Sequence, residues 1–119
     1  MSATVDRYFQ LVDAAARGQD KLRELIEIFD DNAILAPATG DAASGKGAVR
    51  KYLIDFYTNV ADESRHFYNT TSDDGHHVEA DWAVAARLKQ GGLVALQGHN
   101  VFEISADGRI KSLRVRNTV

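Results

Sequence analysis

An α+β fold, three helices followed by a mainly antiparallel sheet packed on them, is predicted by a change of period midway along the chain. Up to about residue 60 the apolar residues recur every three or four positions, as on one side of a helix; from about residue 77 they alternate, as on one side of a strand. Asp73-Asp74-Gly75, Gln90-Gly91-Gly92 and Asp107-Gly108 fall between the alternating segments, where hairpins need them.

Thr4 is placed to cap a first helix running to about Arg17, with Val5, Tyr8, Phe9, Leu11, Val12, Ala15 and Ala16 gathered on one side and Gly18 ending it. Asp20 caps a second helix, in which Leu22, Leu25, Ile26 and Phe29 recur at helical spacing and which stops near Asp30 and Asp31. Ala33 to Ala36 reads as a brief strand broken by Pro37, and the small, Gly-rich stretch from Thr39 to Gly47 as a loop. A third helix follows, with Val49, Tyr52, Leu53, Phe56 and Val60 on its apolar face, and Glu63 leads into an extended segment from His66 to Thr71. His77 to Leu88, Leu93 to Ile104 and Ile110 to Asn117 complete the sheet.

With 119 residues, 45% of them hydrophobic and 26% charged, the chain suits a single domain, 1–119, with a real core. The absence of cysteine excludes a disulfide framework, thiolate catalysis and the usual zinc-ribbon patterns. The start MSATVDRYF lacks the charged and apolar stretches of a signal peptide, so the expected compartment is cytoplasmic. No apolar run approaches the roughly 18 residues of a membrane span. A formal charge of -3 with interspersed signs offers no basic stripe to nucleic acid or to anionic membrane. The expected partner is something small, or a second copy of the chain.

Alternation sorts the strand faces. Val78, Ala80, Trp82, Val84, Ala86 and Leu88 point one way, toward the helices, and Glu79, Asp81, Ala83, Ala85 and Arg87 the other. In the next strand Val94, Leu96, Gly98, Asn100, Phe102 and Ile104 share the inner face. Asn100 stands among apolar neighbours there, and an amide in that position needs hydrogen-bond partners or costs of order 1 to 3 kcal/mol. Asn117 points inward on the last strand by the same reasoning. His76 and His77 are adjacent, so they face opposite ways and make no metal site, and Lys46-Gly47 lacks the frame of a phosphate loop.

The order helix, helix, short strand, glycine loop, helix, then antiparallel strands, with the segments FDDNAIL, GKGAVRKYL, Arg65-His66 and FEISADGRI, resembles the nuclear transport factor 2-like superfamily over nearly the whole chain. The branch it resembles is the SnoaL-like one, alongside the ketosteroid isomerases. The resemblance implies a cone-shaped α+β roll of the cystatin-like kind, whose open end is a ligand cavity. It also implies site residues. The isomerases keep a general base just before a proline at the end of the first strand, where this chain has Ala36 before Pro37, and an alanine moves no proton. Tyr8 resembles the first-helix tyrosine that donates to a substrate oxyanion, unless a slip of one turn brings Leu11 or Val12 there. Asn100 sits where the isomerases carry a protonated aspartate, and both side chains can donate. His66 resembles the second-strand histidine that acts as base in the dehydratase-like and dehydrochlorinase-like branches. Its orienting aspartate would be Asp13, which falls, with Asp6, at the margin of the apolar side of its helix.

Two functions are open on this reading. One is a cofactor-independent isomerase, dehydratase or cyclase that binds a small hydrophobic carbonyl compound. Trp82, Val84, Leu96, Phe102, Val115, Asn117 and Phe56 would line its cavity, and His66, Tyr8, Asn100 and Asp13 would carry the proton transfer, with no metal. The other is a noncatalytic ligand-binding or dimerisation module of the same fold. A hydrolase of the epoxide-hydrolase kind would need a converging Asp, Arg, Asp set, which the inner faces do not supply. Ala83, Ala85 and Ala95, flanked by Arg87, Gln97, Arg114 and Arg116, make the outer sheet face flat and predict a homodimer through it.

Overall fold

The computed structural model describes residues 2–118. Helix α1 (Ala3–Ala14) continues through a 3-10 turn (Ala15–Arg17) to α2 (Gln19–Glu27), β1 (Phe29–Ala36), β2 (Ala43–Ser44) and α3 (Lys46–Asn59). The strands β3 (Ala61–Asp73), β4 (His77–Leu88), β5 (Leu93–Ile104) and β6 (Ile110–Asn117) follow. They form one sheet in the order β2-β1-β6-β5-β4-β3. Every neighbouring pair is antiparallel except β1 and β6, which run parallel.

The three late strands have the bounds that alternation predicts, and the earlier elements differ in instructive ways. Ser2, not Thr4, caps α1, its hydroxyl accepting from the Val5 N–H at 3.2 Å. The Thr4 hydroxyl instead donates to the Gly108 carbonyl, 2.6 Å away, and joins the helix start to the last hairpin. Gly18 takes the cap position of α2, and Asp20 lies in its first turn. Phe29 belongs to β1 and not to the second helix: it is fully buried and pairs with Ile110. A break in register between Phe29 and Ile34 hides the strand period there, with the Asp30 carboxylate accepting from the Asn32 N–H at 3.2 Å. Strand β2, two residues inside the expected loop, is too short to show a period. Strand β3 is twice the expected length: it begins at Ala61, ahead of the expected start at His66, and runs on past Thr71 to Asp73, where the side chains are exposed and carry no apolar pattern.

Phe29, Phe102, Leu25, Ile110, Leu113, Val5, Val49 and Val78 are the largest fully buried side chains, and they fill the space between the helices and the inner sheet face. Each such burial removes a side chain from water, worth about 1.5 to 3 kcal/mol for a Val, Leu, Ile or Phe. Helix α3 is fastened by a polar contact as well: the Tyr57 hydroxyl donates to the Val12 carbonyl at 2.8 Å, inside the core.

The outer sheet face carries a chain of alternating acids and histidines that the sequence reading does not anticipate. Glu103 and Glu79 hold the two ring nitrogens of His77; Glu79 and Asp81 hold those of His99, with 2.7 Å from Glu79 to each ring and from Asp81 to His99. Residues 77, 79 and 81 alternate on β4 while 103 and 99 stand opposite on β5, so the register alone assembles the set. A ring with a carboxylate at both nitrogens is held as the cation, since only then do both nitrogens donate. The hydrogen bonds it donates to Glu79 and then to Glu103 raise the His77 pKa from 6.5 to about 9. A folded-state pKa above the unfolded one makes a stabilising contribution that is whole below about pH 6.5 and is lost as pH rises through the folded value. The melting temperature is therefore expected to fall between about pH 6.5 and 9, and His77→Gln to flatten that fall in a thermal titration. An unchanged slope in the variant would show that the chain of acids does not hold the imidazolium.

Candidate active site

Helix α1 lays one stripe of side chains across the inner face of β3. Asp6, Phe9 and Asp13 follow helical spacing, and Tyr68, His66 and Ser64 follow strand spacing in the opposite direction, so the two rows meet side chain to side chain. The Tyr68 hydroxyl donates to Asp6 at 2.9 Å, and the Phe9 and Tyr68 rings stack at 4.1 Å. At the far end Asp13 accepts three hydrogen bonds: from the Ser64 hydroxyl and His66 Nδ1 on one oxygen, both at 2.7 Å, and from the His66 backbone N–H on the other, at 2.9 Å. Burial pushes the Asp13 carboxyl up, but the hydrogen bonds from the His66 ring, its amide and Ser64 outweigh it and hold the pKa below the usual value.

That carboxylate decides the tautomer of His66. It has only lone pairs to offer, so the ring proton resides on Nδ1, and Nε2 of the neutral ring is left with a lone pair. Nε2 has no hydrogen-bond partner among the described residues, whereas every buried side-chain nitrogen and oxygen there does have one; Nε2 therefore keeps access to solvent. The ring sits between Phe9 and Trp82, each with its centroid 5.9 Å away.

Trp82 links this pair to the second polar group on the inner face. Its indole N–H donates to the Asn100 side-chain oxygen at 2.8 Å, and Asn100 is 2% exposed. The Asn100 side chain in turn neighbours Tyr8. Burial first, then the neighbouring Tyr52, drives the Tyr8 pKa far above its ordinary value, with the Asn100 hydrogen bond opposing, so the phenol remains a neutral donor. Its ring packs edge-on against Phe102 at 5.3 Å. Tyr8, His66, Asn100 and Asp13 thus occupy one region of the interior, joined through Phe9 and Trp82, and neither Leu11 nor Val12 replaces Tyr8.

The expected lining residues divide. Trp82 borders the polar groups directly, Val84 and Val115 are half-buried against the core, and Phe56 stacks with Tyr52 at 6.2 Å. Phe102 is fully buried and serves as packing behind Tyr8. Two residues are corrections. Leu96 is 39% exposed, and Asn117 is exposed at the last rung of β6, opposite Gly98; inward alternation buries a side chain only where a helix lies over it. Ala36 ends β1 beside Arg114, with no group of its own to titrate. Ser64, Tyr68 and Tyr52 are members that the sequence reading omits, although the first two stand two residues either side of His66. Two hollows, of about 120 and 310 Å³, are lined mainly by outer-face residues, the larger also by Val84 and Leu96, and neither by Tyr8, His66 nor Asn100.

The model of the SnoaL-like domain matches residues 5–113. The chain belongs to the SnoaL-like family. Solved structures agree with its cone-shaped α+β fold. A nuclear transport factor 2-like protein of unknown function from Exiguobacterium sp. 255-15 is 26% identical, with 98% of each chain covered and a TM-score of 0.84. The epoxide hydrolase/cyclase-like enzyme SalBIII, of pyran ring formation in the polyether salinomycin, is 23% identical over 98% of this chain and 88% of its own, with a TM-score of 0.78. A protein of ketosteroid isomerase-like fold from Catenulispora acidiphila, solved with trimethylamine, is 13% identical over 100% and 88%, with a TM-score of 0.78. A comparison with curated proteins gives no match. No helix among the described residues is long and apolar enough to cross a membrane.

For this SnoaL-like chain, the three hydrogen bonds on Asp13 carry a measurable cost of removal. Asp13→Asn replaces one acceptor oxygen by a donor amide facing donors, and is expected to destabilise the fold by about 1 to 3 kcal/mol in urea unfolding. Stability equal to that of the parent would show that the carboxylate is not the anchor of His66.

Proposed function

We propose that this SnoaL-like protein binds a small hydrophobic carbonyl compound between α1, α3 and the inner faces of β3 to β5. There it carries out cofactor-independent proton transfer, as an isomerase, dehydratase or cyclase. The observation that carries the proposal is the Asp13–His66 pair, in which the carboxylate fixes the ring by its amide and by Nδ1 and leaves Nε2 unpaired and accessible. A base so held meets the geometric need of proton abstraction beside a carbonyl. Tyr8 and Asn100 supply the complementary part, donors for the oxygen on which negative charge develops. Since Ala36 offers no base at the end of β1, the proton passes through His66.

Crystals grown with a mixture of small hydrophobic ketones and lactones test the binding half. Density is expected with an oxygen against Tyr8 or Asn100 and a carbon bearing an acidic hydrogen near His66 Nε2. On a substrate identified in that way, His66→Ala should reduce turnover by about 10² to 10⁴-fold, the usual worth of a general base. Undiminished turnover removes the histidine from the mechanism, and an interior that takes none of the compounds favours the noncatalytic module.

The outer face supports a second part of the reading, a homodimer. Phe67 is 79% exposed and Leu93 81%, and Phe67 stands beside the 310 Å³ hollow bordered by Ala83, Ala85, Ala95 and Gln97. A knob next to a hole on one face is self-complementary under a two-fold axis. Light scattering at micromolar concentration is expected to give twice the chain mass, and Phe67→Glu to return it to one; a monomeric parent refutes the dimer.

A further inference from the structure

The inner face of the sheet has a gap in its row of side chains at Gly98, and the gap is filled. Gly98 stands directly across from Trp82 in the β4–β5 register. A Cβ on Gly98 would lie 2.1 Å from Trp82 Cζ2, 2.5 Å from Cε2 and 2.3 Å from the backbone oxygen of Arg116. The indole therefore lies flat on the glycine, in space that no other residue type leaves free. From there its N–H reaches one position along the same face of β5, to Asn100.

An indole nitrogen can only donate, so the atom it meets at 2.8 Å is the amide oxygen of Asn100 and not the nitrogen. The Asn100 NH2 group is thereby turned away from Trp82. Tyr8 keeps its own hydrogen to give, and the amide keeps its N–H groups. The amide oxygen, the one strong acceptor of the group, is already occupied by the indole.

From this we infer that Trp82 and Gly98 are positioning residues that fix the direction of the Asn100 amide, its oxygen on the indole and its NH2 group toward the interior. A ligand oxygen at Asn100 consequently meets only the donor end of that amide, and this corner of the site favours a carbonyl or enolate oxygen over a hydroxyl of the same shape. An alcohol oxygen can accept from the amide as a ketone does, but with the amide oxygen held by the indole its own hydrogen finds no acceptor on Asn100, and a buried donor left unmet there is costly. The inference rests on the reading of this interior as a carbonyl site, and adds to it a reason for discrimination that lies in the wall and not in the polar pair.

The test uses α-tetralone and α-tetralol, which share a bicyclic frame and differ at one oxygen, with the intact protein and with Trp82→Phe. The parent is expected to bind the ketone about tenfold more tightly than the alcohol, and Trp82→Phe, whose amide is free to turn its oxygen inward, to bring the two near parity. The same tenfold preference in the variant overturns the inference. A second readout needs no ligand. In the parent, NMR should show contacts from the Asn100 side-chain amide protons to the Tyr8 ring and a single slowly exchanging indole N–H. In Trp82→Phe the amide contacts should weaken, and in Gly98→Ala the indole signal should shift as the ring is displaced. Amide contacts to Tyr8 that persist unchanged in Trp82→Phe refute the positioning role. If neither bicycle binds the parent, the carbonyl-site reading fails, and the amide contacts still decide what orients Asn100.

Discussion

The carboxylate of Asp13 is the contact on which the arrangement of the interior depends. It sits one residue from the end of α1 and holds β3 by a backbone amide, a ring nitrogen and a hydroxyl, so helix and strand share one anchor at a defined register. With that point fixed, helical spacing delivers Phe9 to the gap between His66 and Tyr68, and Asp6 to the Tyr68 hydroxyl. Tyr8, next to Phe9 in sequence but rotated about the helix axis, is carried to the middle of the sheet instead. A shift of α1 by one turn would lose all of these meetings together, which is why the helix has a single seating and not a choice of several.

The interior also shows how polar groups are tolerated in a core. Asn100, Tyr57 and Ser64 are buried, yet each meets a partner at 2.7 or 2.8 Å, and no buried side-chain nitrogen or oxygen among the described residues is left over. Satisfied groups of this kind cost little, whereas one removed partner exposes the full desolvation penalty of the other. The outer face follows a different rule. Its histidines and carboxylates are partly in solvent, where a charge is cheap, and alternation along β4 with pairing across β5 is enough to organise them.

Much of this was legible from periods alone. Three long strands, the apolar side of α1, and Asn100 as a misfit on an inner face follow from alternation and helical spacing, and the family resemblance placed His66, Tyr8 and Asp13. The misreadings have local causes. Phe29 has helical spacing to Leu25 and Ile26, and the strand that contains it is irregular just after it, so one residue satisfied two patterns and the parallel partner β6 decided between them. Asn117 alternates inward but lies past the cover of the helices, a fact of three dimensions that period two does not contain. Gly98 was visible as a glycine on an inner face. Its meaning required knowing which side chain stands opposite, and that is set by a hairpin register four loop residues away.

The parallel pairing of β1 with β6 has a consequence for how the chain reaches this structure. Phe29 near the start meets Ile110 near the end, and Leu35 meets Leu113, so one sheet contact closes a loop that contains most of the molecule. Such closure is slow, because chain entropy is spent before the contact returns anything. On the ribosome, the two apolar helices and the inner face of β1 are made long before the strand that covers them. Strand β6, made after every other strand of the sheet, therefore completes it, and until it emerges the nascent chain presents an open apolar edge to its surroundings.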